Sequence, residues 1–383
     1  MSLVEAARAA AVPPFHAMAM ARAASDLEAA GSRVLHLEVG QPSTPAPRGA
    51  RDAAIAAIAA GESLGYTNAA GLMSLRRRIA RHYADWYGVD VDARSVMIVG
   101  GASAGFTLAF AAAFDAGDRV AVLEPGYPCY RNALLALGIE PVALPVGPAT
   151  RWAPTADVLD ALGPLDGLIV ASPSNPTGTV LSADVLREVA QWCAANEVQL
   201  IADEIYHGIV FDGRAASALE VTRDAIVINS FSKYFSMTGW RLGWMVVPDH
   251  LLRAVERLQQ NLYICAPHVS QVAGLVAMDC QDELDLHVAR YRSNRSALLT
   301  GLAAAGLTDV AEADGAFYVY ADVSHVTDDS MVLTERWLGE LCVASTPGLD
   351  FDLARGHCSV RFSYAGDERD LVEACQRLQD WQP

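Results

Sequence analysis

Between residues 95 and 247 the chain repeats one pattern: a short, almost wholly apolar run, then a longer stretch of helical period. The runs are VMIV (96–99), RVAVLE (119–124), GLIVAS (167–172), VQLIADE (198–204), AIVINS (225–230) and LGWMVV (242–247). A strand with one wet face alternates apolar and polar residues. These runs do not, so they fit strands covered on both faces. Such strands alternating with helices predict an α/β domain around a mostly parallel, doubly wound sheet. Several runs end in polar residues or glycine: Gly100-Gly101, Glu124, Ser172, Asp203-Glu204 and Asn229-Ser230. In open sheets of this kind the ligand site lies beyond the carboxyl ends of the strands, so these ends are expected to converge on one crevice.

Residues 251–300 carry the pattern of long helices. A shorter α+β unit follows, with GAFYVYADV (315–323) and HCSVRFSYA (357–365) as strand candidates and RDLVEACQRLQDW (369–381) as a closing helix. The first 40 residues, an Ala/Met-rich helix followed by VLHLEVGQP, are expected to join this smaller unit. The expected division is an N-terminal arm over 1–44, a large domain over 45–285 and a small C-terminal domain over 286–383. A chain of 383 residues is long enough to bury a core in each domain.

A net charge of −17 argues against nucleic-acid or anionic-membrane partners, both of which need a basic face. Residues 95–114 hold no charge over a length that could cross a membrane. Their β-branched start and Gly-Gly-Ala-Ser centre instead predict a buried strand, a tight turn and a buried helix. The seven cysteines are scattered, odd in number and without CxxC or metal spacing, as reduced thiols of a cytoplasmic protein would be. No signal peptide is apparent at the N-terminus.

Of the 28 basic residues one is lysine, Lys233, and the rest are arginine. Arginine replaces lysine wherever a positive charge suffices, but it stays protonated and serves neither as nucleophile nor as proton shuttle. Lys233 follows an apolar strand, where desolvation favours the neutral amine. Ser230 and Ser232 precede it, and Arg241 and Gly243 follow at +8 and +10, a grouping suited to a phosphate. A lysine able to form a Schiff base beside a phosphate site suggests pyridoxal phosphate (PLP), which also needs partners for its pyridinium nitrogen and ring hydroxyl. SPSNPTG (172–178) offers Asn175, and ADEIY (202–206) offers Asp203 and Tyr206.

SNPTG, DEIY and SFSKYFSMTGWRLGW, in that order and spacing, resemble the fold-type-I PLP enzymes, most closely the class I/II aminotransferases; YTNAAGLMSLR (66–76) and VRFSYA (360–365) extend the likeness. The resemblance implies that Lys233 binds the cofactor covalently and then shuttles a proton. It implies that Asp203 pairs with the pyridinium nitrogen, that Asn175 and Tyr206 hydrogen-bond the ring oxygen, and that Tyr127 of EPGYPCY stacks on the ring. Ser230, Arg241 and the backbone N–H groups of Gly101 and Ala102 would hold the phosphate. Tyr66 would reach it from the second subunit of a homodimer with shared active sites. Arg361 would grip the substrate α-carboxylate bidentately, helped by Gly40. Taken singly, Asn175 reads equally as a turn former, Tyr206 and Tyr127 as core aromatics, Asp203 as a helix cap and Arg361 as a surface charge.

Two other readings compete. GASAG (101–105) fits a G-x-S-x-G nucleophile elbow, with Ser103 served by His325 or His357, but it lacks an upstream oxyanion segment and leaves the lysine cluster unexplained. A PLP-binding regulator would need a basic DNA-binding module ahead of residue 40, and none is present there. A C–S lyase of the same fold would share the cofactor residues, while SMTGWRLGW and the small C-terminal unit favour ping-pong transfer from an L-amino acid to a 2-oxo acid, 2-oxoglutarate being the expected acceptor. Some aspartate-using relatives carry a lysine just after the Gly-Gly pair, where this chain has Ala102. Neutral or aromatic donors are therefore expected to serve at least as well as aspartate, unless an arginine such as Arg292 enters the pocket.

Overall fold

The structure is a computed structural model and describes residues 4–382. The first three residues of the expected N-terminal arm and the last of the C-terminal domain lie outside the described residues. After a helix over His16–Ala29 comes a two-residue strand, β1 (Leu35–His36). Seven strands then build the main sheet: β2 (Val96–Val99), β3 (Arg119–Glu124), β4 (Glu140–Pro145), β5 (Gly167–Ala171), β6 (Gln199–Asp203), β7 (Ile226–Ser230) and β8 (Gly243–Val246). Their order is β2-β8-β7-β6-β5-β3-β4. All pairs are parallel except those of β8, which runs antiparallel to both β2 and β7.

The continuous apolar runs have the predicted cause. Along β5, Leu168 and Val170 enter one hydrophobic core while Ile169 enters the other; along β7, Val227 goes one way and Ile226 and Ile228 the other. One core packs the sheet against helices Met73–Tyr87 and Ala183–Ala195, the other against Ala102–Ala113 and Asp249–Leu262. A sheet buried on both sides has no face on which polar residues could alternate. The uncharged segment 95–114 is β2, a turn and a buried helix, and no helix of the described residues is long and apolar enough to cross a membrane.

Strand β4 was not foreseen, because EPVALP begins and ends with poor strand formers. It lies at the sheet edge beside β3, largely exposed, where a proline without an N–H is tolerated.

The C-terminal part adds β9 (Tyr318–Asp322), β10 (Val343–Ala344), β11 (Thr346–Pro347) and β12 (Ser359–Ser363). The order β11-β12-β9 makes a small antiparallel sheet, and β10 pairs in parallel with β1. That pairing ties the N-terminal segment to the C-terminal unit. The helix Gln281–Ala304 runs across the expected boundary at 285/286. The closing helix covers Glu368–Asp380 and packs along the long one.

Candidate active site

The carboxyl ends of β2, β5, β6 and β7 meet over a cavity of about 190 Å³. Ala102, Asn175, Asp203, Tyr206 and Lys233 all line it, Tyr127 joins them from the loop after β3, and Gly40 and Arg361 close it from the C-terminal side. The convergence follows from the sheet: parallel strands end together, so residues a hundred positions apart become neighbours.

Lys233 sits in the loop between β7 and β8. Its Nζ donates to the Gly40 carbonyl at 2.5 Å and lies 5.7 Å from the Tyr206 ring and 5.6 Å from that of Phe317. Burial among these groups lowers the amine pKa from 10.5 to about 8, helped by the nearby Arg361 charge and opposed by Asp203. Gly40 has to be glycine, because a Cβ there would stand 1.7 Å from the Tyr318 hydroxyl.

Asp203 is buried at the end of β6, and burial raises its carboxyl pKa to about 6 against hydrogen bonds from Tyr130 Oη and the Ile205 N–H. The Ile205 bond at 3.0 Å means that the residue also organises the segment that follows, which is a turn and not the helix that the capping alternative supposed. Among the described residues no arginine is hydrogen-bonded to this carboxylate, which leaves it able to accept from a further donor in the cavity.

Arg361, on β12, is 3% exposed. Its Nη1 donates to Asn175 Oδ1 at 2.9 Å, and its Nη2 to the Glu38 carbonyl at 2.5 Å and to Thr346 Oγ1 at 3.2 Å. The guanidinium lies 4.4 Å from the Tyr318 ring centre and 4.7 Å from that of Phe351. Three of its five N–H groups are thus engaged and two are left, and its buried Nε has no partner. With Oδ1 of Asn175 occupied by Arg361, the Nδ2 of that side chain is free to donate. Tyr206 Oη bonds Tyr318 Oη at 2.7 Å, and burial holds the Tyr206 hydroxyl protonated well beyond its ordinary range.

The remaining predicted residues fall at the margin. Gly101 precedes the helix Ala102–Ala113 with φ +87°, and a Cβ on it would meet Arg241 Nη2 at 2.4 Å, so both backbone and space demand glycine. Arg241, exposed, donates to the Thr238 carbonyl at 3.1 Å and to that of Gly100 at 3.4 Å. A helix N-terminus and a guanidinium therefore stand together beside the cavity, the arrangement an anionic phosphate calls for. Ser230 does not line the cavity: its hydroxyl is used on Ser232 Oγ (2.9 Å) and the Leu242 carbonyl (3.1 Å), shaping the turn before Lys233. Tyr66 is 84% exposed and outside the cavity of its own chain. Taken together, the lowered-pKa amine, the buried carboxylate, the free Asn175 amide and the anion cradle fit a phosphorylated pyridine aldehyde.

Ser103 also borders the cavity on a strand–turn–helix, but the cavity wall has no histidine, and His325 and His357 are exposed elsewhere. The hydrolase reading lacks its base. Arg292 lies outside too, its guanidinium 5.5 Å from the Phe211 ring centre.

Sequence reasoning missed Phe15, Ala17 and Met18 from the start of the first long helix, and Phe106, Tyr130 and Tyr318. Tyr130 stands three positions beyond Tyr127 on the following helix, a spacing that could have flagged it. Nothing in the sequence alone links Phe15 or Met18 to residues two hundred positions away.

The sequence model of the family described as "Aminotransferase class I and II" matches residues 32–378. The chain is 48% identical over 379 residues to the valine–pyruvate aminotransferase of Mycobacterium tuberculosis, covering 98% of this chain and 97% of that protein. It is 33% identical to the aspartate/prephenate aminotransferase of Thermus thermophilus, over 97% of each. A crystal structure of an aminotransferase from M. tuberculosis superposes with a TM-score of 0.96 at 48% identity and 99% coverage of both chains. The aspartate aminotransferase from T. thermophilus with maleate gives 0.93 at 30% identity, again over 99% of both.

Proposed function

The chain belongs to the class I and II aminotransferases, PLP-dependent transaminases, and from that premise we propose that it moves the amino group of a neutral L-amino acid, such as valine, onto pyruvate. One observation carries this choice over the 2-oxoglutarate first expected: the cavity wall has two cations, Lys233 and Arg361. Lys233 is needed for the amine chemistry and Arg361 for the α-carboxylate. A second carboxylate, on 2-oxoglutarate or aspartate, meets no further positive charge among the described residues that line the wall within one chain. Phe15, Met18, Val39 and Phe106 offer an apolar side chain instead. The name of the mycobacterial relative agrees.

When bound, PLP supplies an electrophilic carbon for the amino group and a ring that withdraws electrons from the substrate α-carbon. In this reading the residues of the chain do the rest. Arg361 offers its guanidinium charge and the second Nη1–H to the α-carboxylate, which both half-reactions present, and so orients amino acid and 2-oxo acid alike. Lys233 holds the cofactor and, once free, takes a proton from the α-carbon on Nζ and returns it on the other side of the transfer. Its depressed pKa lets the neutral amine do so near pH 8. Asp203 accepts a hydrogen bond from the ring nitrogen and keeps it protonated. Asn175 Nδ2 and Tyr206 Oη donate to the ring oxygen, Tyr127 covers the ring face, and Gly101, Ala102 and Arg241 hold the phosphate. One site serves two substrates in turn, which is a ping-pong scheme.

The exposed Ile55, Ile58, Tyr66, Met73, Leu262, Tyr263 and Ile264 suit a homodimer in which Tyr66 reaches the other subunit's phosphate. The test of the function compares kcat/KM for pyruvate and 2-oxoglutarate with valine as donor, then for valine, alanine, phenylalanine and aspartate with pyruvate as acceptor. Higher values for pyruvate and the neutral donors are expected. Preference for 2-oxoglutarate and aspartate would overturn the substrate assignment, and accumulation of ammonia without an acceptor would turn the reading to a lyase.

A further inference from the structure

The helix His16–Ala29 begins without a cap of its own: Phe15 occupies the N-cap position, and its side chain accepts no hydrogen bond. The first N–H groups of a helix need acceptors. Here they come from far along the chain. The Asp350 carboxylate accepts from the His16 N–H at 2.8 Å through Oδ1 and from the Ala17 N–H at 2.7 Å through Oδ2, and the residue is 2% exposed. Asp350 ends a short 3-10 turn just after β11, and Thr346 of β11 pairs with Arg361 of β12. Its own backbone carbonyl is held by Arg131 Nη2 at 3.3 Å. The carboxylate is thus fixed to the sheet that carries Arg361, while the helix end it grips brings Phe15, Ala17 and Met18 to the cavity. Phe15 stands edge-on to Tyr127, with ring centres 6.2 Å apart.

We propose that Asp350 is a positioning residue for substrate choice: a remote helix cap that docks Phe15 and Met18 as the wall against which a branched side chain packs. The proposal rests on the functional reading above. A carboxylate on the N-terminus of a helix satisfies two N–H groups and opposes the positive end of the helix dipole. Releasing it frees the first turn. A methyl side chain has less apolar surface to bury against this wall than the branched side chain of valine, so the loss falls on the larger substrate. Arg361 and Lys233 keep their hydrogen-bond partners, and among the residues assigned to the cofactor the released turn meets Tyr127, through the Phe15 ring.

The experiment uses the PLP-loaded enzyme and the variants Asp350→Ala and Asp350→Asn. Wild type is measured first with alanine and valine; if neither is transaminated, the functional reading fails. For Asp350→Ala, kcat/KM for valine is expected to fall roughly 5- to 30-fold through KM, with alanine changed less than about twofold and PLP affinity unaltered. Asp350→Asn retains one acceptor oxygen and should lie between. Amide hydrogen exchange over residues 15–20 should rise in the same order, and this arm reads the docking whichever substrates the enzyme takes. A parallel fall for alanine and valine would overturn the proposal, placing Asp350 behind Arg361 instead. So would faster exchange without a change in selectivity, or no change in either.

Discussion

The Lys233 amine gives the sharpest quantitative test. Burial, reinforced by the Arg361 charge and partly offset by Asp203, brings its pKa from 10.5 to about 8. A base with a lowered pKa gives up its proton at lower pH, so its reactive neutral form grows as pH rises towards 8 and saturates above. At pH 7.5 an ordinary lysine is neutral about once in a thousand, whereas an amine of pKa about 8 is neutral about one time in four, an advantage of roughly 200-fold. The assay is the rate of covalent attachment when PLP is added to cofactor-free protein, followed by absorbance from pH 6 to 11. Borohydride fixation and peptide mapping assign the signal to Lys233. The rate is expected to level off just above pH 8. In Arg361→Met the midpoint should move up, because the second-largest cause of the depression is gone. A wild-type midpoint near 10.5 would refute the argument from burial, and a downward shift in Arg361→Met would refute the assigned sign.

Arg361→Lys keeps the charge but loses the planar fork, so KM should rise for amino and 2-oxo acids alike by about 30- to 1,000-fold, corresponding to ~2–4 kcal/mol. Steady-state kinetics on both half-reactions checks it, and an effect on one substrate alone would remove Arg361 as the shared anchor. Asp203→Asn should leave PLP bound yet lower kcat by about 100- to 1,000-fold, since a neutral amide no longer holds the ring nitrogen protonated; single-turnover rates with bound cofactor decide it. Gly40→Ala places a methyl on the Tyr318 hydroxyl, so the Tyr206–Tyr318 bond should break and kcat/KM should fall about 100-fold. Unchanged kinetics in that variant would mean that the Gly40 strand moves freely.

The sheet was legible because burial on both faces leaves its mark on every residue of a strand, and the site because polar residues at the ends of such runs have few other reasons to be there. Asp203 shows the limit of that logic: it lines the cavity and also accepts a hydrogen bond from the Ile205 N–H of the turn that follows, so a carboxylate at a strand end carries more than one use. GAFYVYADV reads as a strand, yet nothing in its alternation tells that Tyr318 faces the cavity while Tyr320 packs with Phe351 and Trp152. The wall formed by Phe15 and Met18 stayed hidden for a different reason. It depends on a carboxylate more than three hundred positions away, and a helix of alanines and methionines announces only that it is a helix.

The direction of β8 has a consequence for how this site can change. Because β8 runs back beside β7, the chain that leaves the sheet at Ser230 returns to the same edge at Gly243, with Asn229 opposite Trp244 and Ser230 opposite Gly243. The amine of Lys233 and the guanidinium of Arg241 therefore hang on one short tether whose two ends are stitched together. An inserted or deleted residue in that tether cannot be absorbed by sliding a strand, since β8 is also locked to β2, whose end carries Gly101. The spacing of eight between lysine and arginine acts like a ruler fixed at both ends. Changes in the outer walls, above all in the helix that Asp350 holds in place, leave the spacing between the Lys233 and Arg241 attachment points unaltered.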